Sequence, residues 1–200
     1  MKHHRIAILC LVACALDLGV SQNSVRSQVE SVLDSSPGRE KGHDLISKIT
    51  DHPVAVLMSI AQSTQGSYAR RTRAIYLMAT FRTNESERAL AELAERGSPE
   101  FRCPALDAFV EMKSQDAIPL LMSRLDDHAV CMHASLTDPA REQDVFVSDE
   151  AVRLLEQVTG QSFEKVPANG HRATTPWKDW WTKQKRNAKL VPKRSDNCET

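Results

Sequence analysis

Apolar residues recur along this chain at helical spacing, in runs that come in pairs. In Arg70–Phe81, the positions Ala74, Ile75, Met78 and Phe81 form one stripe of a helix. Phe101–Met112 answers it 31 residues later, with Ala105, Leu106, Phe109 and Val110 as the stripe. Each run is followed by a second amphipathic one. Ser86–Ala94 carries Ala89, Leu90, Leu93 and Ala94. Ser114–Met122 carries Ala117, Ile118, Leu121 and Met122, continued by Leu125. Self-similarity at this period predicts helical hairpins that bury their stripes against one another.

The punctuation between the runs is consistent with that reading. Asn84 followed by Glu87 has the spacing of a capping box, and Gly97 is placed to end its helix in the left-handed conformation. Ser98-Pro99-Glu100 supplies an N-cap, a first-turn proline and an acid at the positive end of the dipole. Ser114 is the expected cap of the next helix. Upstream, residues 22–42 form a linker or one weak helix, with Val25, Val29 and Val32 as its stripe, broken by Ser35-Ser36-Pro37-Gly38. Asp44–Ile49 is short. Pro53 opens Val54–Ala61, the second helix of a degenerate first repeat closed by Gly66. Residues 127–147 are too long for an inter-helix turn and are read as an insertion, with Val145-Phe146-Val147 as an extended segment. The repeat domain is expected over 43–182 and a basic flexible tail over 183–200.

Pro104 inside the first helix of a hairpin, and Ala117-Ile118-Pro119 followed by Leu121 and Leu125-Asp126-Asp127, resemble HEAT repeats. The resemblance covers about Asp51 to Asp127. The stretch Ser148–Phe163, a helix with a Thr-Gly turn, and then Trp177-Lys178-Asp179-Trp180-Trp181, is similar to the C-terminal unit of bacterial exported HEAT-repeat proteins. The resemblance implies an all-α fold, a short α-solenoid of HEAT-like hairpins with a Trp-bearing C-terminal cap helix. It also implies an interaction scaffold, and it supplies no catalytic residues.

Composition adds a compartment and removes some function classes. Lys2, His3, His4 and Arg5 precede an uncharged apolar run from Ile6 to Leu16, the order of a secretory signal. Two readings of its end stand side by side. One is an ordinary signal over 1–21. In the other, Leu11-Val12-Ala13-Cys14 is a lipobox, with cleavage before a lipidated Cys14. Either makes the protein exported, to the periplasm or as an outer-membrane-anchored lipoprotein. The chain carries 26 basic and 26 acidic residues, so no global field draws it to nucleic acid. Low aromatic and glycine content favours helices over a β-sandwich. Beyond the leader the cysteines are Cys103, Cys131 and Cys198. In an oxidising compartment Cys103–Cys131 is the preferred disulfide, with a buried reduced Cys103 as the competing reading.

Four groups of residues carry candidate chemistry. Thr175-Pro176 starts a helix that places Trp177, Trp180 and Trp181 on one face. Packed inward, that face caps the repeats; left open, it is a hot spot for a partner. Arg70, Arg73, Glu87 and Arg88 are candidate contact residues on the repeat helices. Asp127, His128, Cys131 and His133 are metal-ligand types at close spacing, yet no second Cys or His pair accompanies them, so no metal is expected. Lys183, Lys185, Arg186, Lys189, Lys193 and Arg194 have the charge to touch phosphates or an anionic membrane surface. A solvated tail is the ordinary fate of such a run. Phosphate-cradling loops, a Gly-x-Ser-x-Gly elbow and a His-Glu-x-x-His helix are all missing. The expectation is a non-catalytic protein–protein scaffold of the cell envelope without cofactors. Its partner is another protein, and it meets the membrane only through a lipidated Cys14. Alternatives are a periplasmic inhibitor or immunity protein for one enzyme or toxin, and a metal-binding protein using 126–133.

Overall fold

The computed structural model describes residues 23–134, 143–163 and 171–190. The leader with Cys14, Cys198 with the rest of 191–200, and the side chain of His133 lie outside the described residues. Among the described residues the fold is all-α, with one small sheet. The elements are α1 (23–35), α2 (Arg39–Ile49), α3 (Pro53–Ala61), α4 (Tyr68–Phe81), α5 (Asn84–Arg96), α6 (Pro99–Glu111), α7 (Ala117–Ser123), β1 (Val130–Ala134), β2 (Gln143–Phe146), α8 (Val147–Thr159) and α9 (Thr175–Leu190). They form two compact units that divide at Gly97, within the 43–182 span read as one domain.

In the first unit, α4 packs against α2, α3 and α5. Its Ala74, Ile75 and Met78 are fully enclosed, together with Leu57 and Ile60 of α3 and Leu90 and Ala94 of α5. Phe81, at the end of the stripe, is half-buried and meets the His43 ring with centroids 4.4 Å apart. The weak helix of the sequence is α1, but its buried residues are Val29 and Leu33, while Val25 and Val32 are half-buried. The short run at Asp44 is the second half of α2, whose polar first turn hides it from a hydrophobicity reading.

Three expected caps are corrected. The N-cap of α5 is Thr83, whose Oγ1 accepts the Ser86 amide at 3.1 Å, so Asn84 is already helical and Glu87 does not close a box with it. Gly97 is extended, with φ −61°, and not left-handed. A Cβ there would lie 2.4 Å from the Leu93 carbonyl oxygen, so glycine is required by close approach. Ser114 does not cap α7 directly. Its Oγ accepts the Asp116 amide at 3.1 Å in a turn, and the helix starts at Ala117.

In the second unit α6 packs against α7, α8 and β1, and nearly all its faces are enclosed, from Phe101 to Val110. Pro104 removes one helical hydrogen bond within it. In α7, Leu120 and Leu121 are buried, while Ile118 and Met122 are half-exposed. The insertion is an antiparallel pair, Val130 opposite Phe146 and Met132 opposite Val145, so Cys131 is an extra, bulged residue. The bulge turns its sulfur inward, and Cys103 of α6 and Cys131 form a disulfide, with Cα atoms 6.0 Å apart. Gly160 ends α8 at φ 67°, a conformation glycine adopts without strain.

The 31-residue period survives in the backbone. Arg82 after α4 and Lys113 after α6, which are 31 positions apart, both adopt left-handed φ, 50° and 59°. A left-handed residue therefore follows both α4 and α6, whereas Thr50 after α2 is extended.

Candidate binding surface

The second unit delivers α9 through a set of polar clamps. Asp149, in the first turn of α8, is 8% exposed. Its carboxylate accepts the Phe146 amide at 3.2 Å, the Arg172 amide at 2.7 Å and His171 Nδ1 at 3.1 Å. The His171 ring stacks on Phe146 with centroids 4.3 Å apart, and His128 meets the same ring edge-on at 6.3 Å. Arg172 pairs with Glu156, and Lys178 with Asp126. An Asp–His pair also occurs in catalytic sites. Here the carboxylate is shared with two backbone amides, so its role is to fix the chain at the entrance to α9. Sequence reading missed this junction. Asp149 and His171 are 22 residues apart with no spacing rule between them, and the first-turn acid is the only available signal.

From that anchorage the three tryptophans take distinct positions. Trp177 is 1% exposed and meets Phe163 edge-on at 4.8 Å. Trp180 lies edge-on to Trp177 at 5.6 Å, and Trp181 stacks on Trp180 at 6.1 Å. Trp180 and Trp181 are only half-buried, and Lys185 Nζ sits 5.1 Å above the Trp181 ring. The helix packs on α7. One tryptophan thus fastens the helix, while the other two form a supported aromatic ridge. Such rings lose little rotamer entropy on contact and carry a large apolar surface.

The candidate contact residues of the first unit serve the fold instead. Arg70 donates to Asp34 at 2.6 and 2.9 Å and to Glu30 at 3.3 Å. Arg73 donates to the Leu33 carbonyl at 2.9 Å and caps the last turn of α1. Both side chains bolt α1 onto α4. The hydrogen bonds that Arg70 donates hold the Asp34 carboxyl below its ordinary range, and the same bonds, accepted by Asp34, raise Arg70. Glu87 is half-buried. Arg88 is exposed and turns back to the Asn84 carbonyl at 3.2 Å. A cleft of about 150 Å³ opens where the α1–α2 turn leaves α4. The guanidiniums at its rim are engaged, Arg39 over Tyr76 and Arg73 on Leu33.

Two of the candidate metal-ligand residues in 126–133 are engaged elsewhere. Cys131 is spent in the disulfide and has no thiolate to offer. Asp127 is held by Arg102 at 2.9 Å and accepts the Ala129 amide at 3.2 Å. His128 packs on Phe146. Among the described residues no three His, Cys, Asp or Glu side chains form a group that could hold a metal ion. On the surface of α8, Arg153 bridges Glu150 and Asp107, and hydrogen bonding to Glu150 raises it above its ordinary range. Among the described residues no helix is long and apolar enough to cross a membrane. No family model, curated protein or solved structure matches the chain.

Proposed function

We propose that this protein is a non-catalytic binding module of the bacterial cell envelope, built from HEAT-like hairpins, that holds another protein through the aromatic ridge of α9. One observation carries the reading. Trp180 and Trp181 are stacked and half-exposed on a helix that Trp177 and four polar clamps hold rigid. A contact surface fixed in advance forfeits little conformational entropy on association. The charged residues first considered for contact, Arg70 and Arg73, are occupied in holding α1 to α4, which leaves the ridge as the stronger anchor. The leader sequence supports the compartment. A dedicated inhibitor or immunity protein would use the same rigid ridge. It differs in recovering one partner at one-to-one stoichiometry.

The test is isolation from the native host envelope after chemical crosslinking, with partners identified by mass spectrometry. Wild-type protein should enrich a partner that the Trp180→Ala/Trp181→Ala variant, still folded by circular dichroism, does not. Equal recovery by both removes the ridge from the account.

A further inference from the structure

The outer side of α9 has a different character from its tryptophan side. With about 3.6 residues per turn, Arg186 lies two and a half turns beyond Trp177, on the opposite side of the helix. Lys183 and Lys185 flank Arg186, and all three are exposed. From Trp180 to Arg194 the sequence adds Lys189, Lys193 and Arg194 and contains no carboxylate. The one acid of the helix, Asp179, is exposed one turn before Lys183 and two turns before Arg186 on the same face, where the three cations outnumber it. Asp126 is already paired with Lys178. The chain as a whole carries equal numbers of basic and acidic residues, so this concentration of one sign is local. Lys185 covers the Trp181 ring with its ammonium, pairing an apolar body with a cation at its edge. Tryptophan beside lysine is a combination suited to the headgroup level of a bilayer, and juxtamembrane polybasic segments attach to anionic leaflets.

We propose that the basic outer face of α9, with Lys183, Lys185 and Arg186 at its centre and Trp181 at its edge, docks electrostatically on anionic phospholipid headgroups. The attachment is peripheral, because the residues at the centre of the face are charged and Trp177, on the opposite side of the helix, is buried in the protein. Charge complementarity selects the occupant. A surface of zwitterionic lipid offers no net attraction to these cations, whereas an anionic one does. The surface meets the ridge that Trp180 forms with Trp181 only at the Trp181 edge, so a bound partner protein would be held beside the membrane. This surface acts without a lipid anchor at Cys14.

The experiment uses the full chain carrying Cys14→Ser, so that no acyl group contributes. Co-sedimentation is measured with vesicles of pure phosphatidylcholine and of phosphatidylcholine mixed equally with phosphatidylglycerol. The protein should pellet with the mixed vesicles at low salt, stay in solution with pure phosphatidylcholine, and be released as salt is raised. Each cation near the surface contributes about fivefold in partitioning, so Lys183→Gln/Lys185→Gln/Arg186→Gln should weaken binding by roughly a hundredfold. These side chains are exposed, so the variant should melt like the parent; if it does not, the single variants, each weakened about fivefold, replace it in the comparison. Equal binding to both vesicle types, no binding to the mixed vesicles at low salt, or undiminished binding by the variants overturns the proposal. So does equally tight, equally salt-sensitive binding to a DNA duplex, which would mark indiscriminate polyanion adhesion.

Discussion

Removing the disulfide should cost the second unit a large part of its stability. Cys103 and Cys131 are 28 residues apart and are 2% and 4% exposed. Closing a loop of that length lowers the entropy of the unfolded chain by an amount worth about 3.6 kcal/mol at room temperature. Replacing both residues by alanine also removes two buried sulfurs from the contact between α6 and β1, about 1 kcal/mol more. The double variant should therefore lose roughly 4–5 kcal/mol out of the 5–15 typical of a domain. All three tryptophans lie in α9, so tryptophan fluorescence during urea unfolding reports on this unit. With a slope near 2 kcal/mol/M, the midpoint should fall by roughly 2 M, and the slope should steepen because the unfolded chain expands. Peptide mapping of the wild-type protein without reductant should recover Cys103 and Cys131 on joined peptides. Unchanged midpoints in the double variant, with the two wild-type cysteines recovered on separate peptides, would return Cys103 to the role of a small core residue.

The remaining expectations concern other clamps. Trp177→Ala should destabilise by about 3–5 kcal/mol, while Trp181→Ala should cost about 1 kcal/mol, a contrast that thermal melts resolve. Equal costs would mean that Trp177 is not the anchor. Asp149→Ala leaves the Phe146 and Arg172 amides without their acceptor, and about 2–4 kcal/mol should be lost, with faster hydrogen exchange at Arg172. Exchange as slow as in the parent would show that the junction is held by other contacts. Asp34 has its folded pKa depressed by Arg70, so the stability it contributes is present above its unfolded value and is lost as pH falls through the folded one. In Asp34→Asn, unfolding followed by far-ultraviolet circular dichroism should depend less on pH below about pH 4 than in the parent. An identical acid limb would disconnect the pair from stability.

Helix positions were legible where apolar residues recur over three turns. Ala74, Ile75 and Met78 in α4 and Leu90, Leu93 and Ala94 in α5 are buried as their spacing requires. Legibility fell where one polar turn precedes the stripe, as in the Arg39–His43 start of α2, or where local geometry chooses between neighbours. Thr83 and Asn84 both have capping side chains, and only the backbone decides that Thr83 is the extended one. At the candidate site, the i, i+3, i+4 spacing correctly placed the three tryptophans on one side of a helix. It gave no rank among them, because burial depends on what α7 and Phe163 present. The arginines show the same limit more sharply. Arg70 and Arg73 look like a surface patch in one dimension, and their partners Asp34 and Leu33 lie 36 and 40 residues earlier. Long-range pairing of exposed charges leaves no periodic trace in sequence. The Asp149 junction was hidden for the same reason.

On the proposed function, the ridge of α9 touches a specific protein in the envelope. A photo-crosslinking amino acid placed at Trp181 and, separately, at the exposed Ser47 of α2 tests it in the living host. One discrete protein adduct is expected from position 181 and none from position 47. No adduct at position 181, or the same set of adducts from both positions, would contradict it.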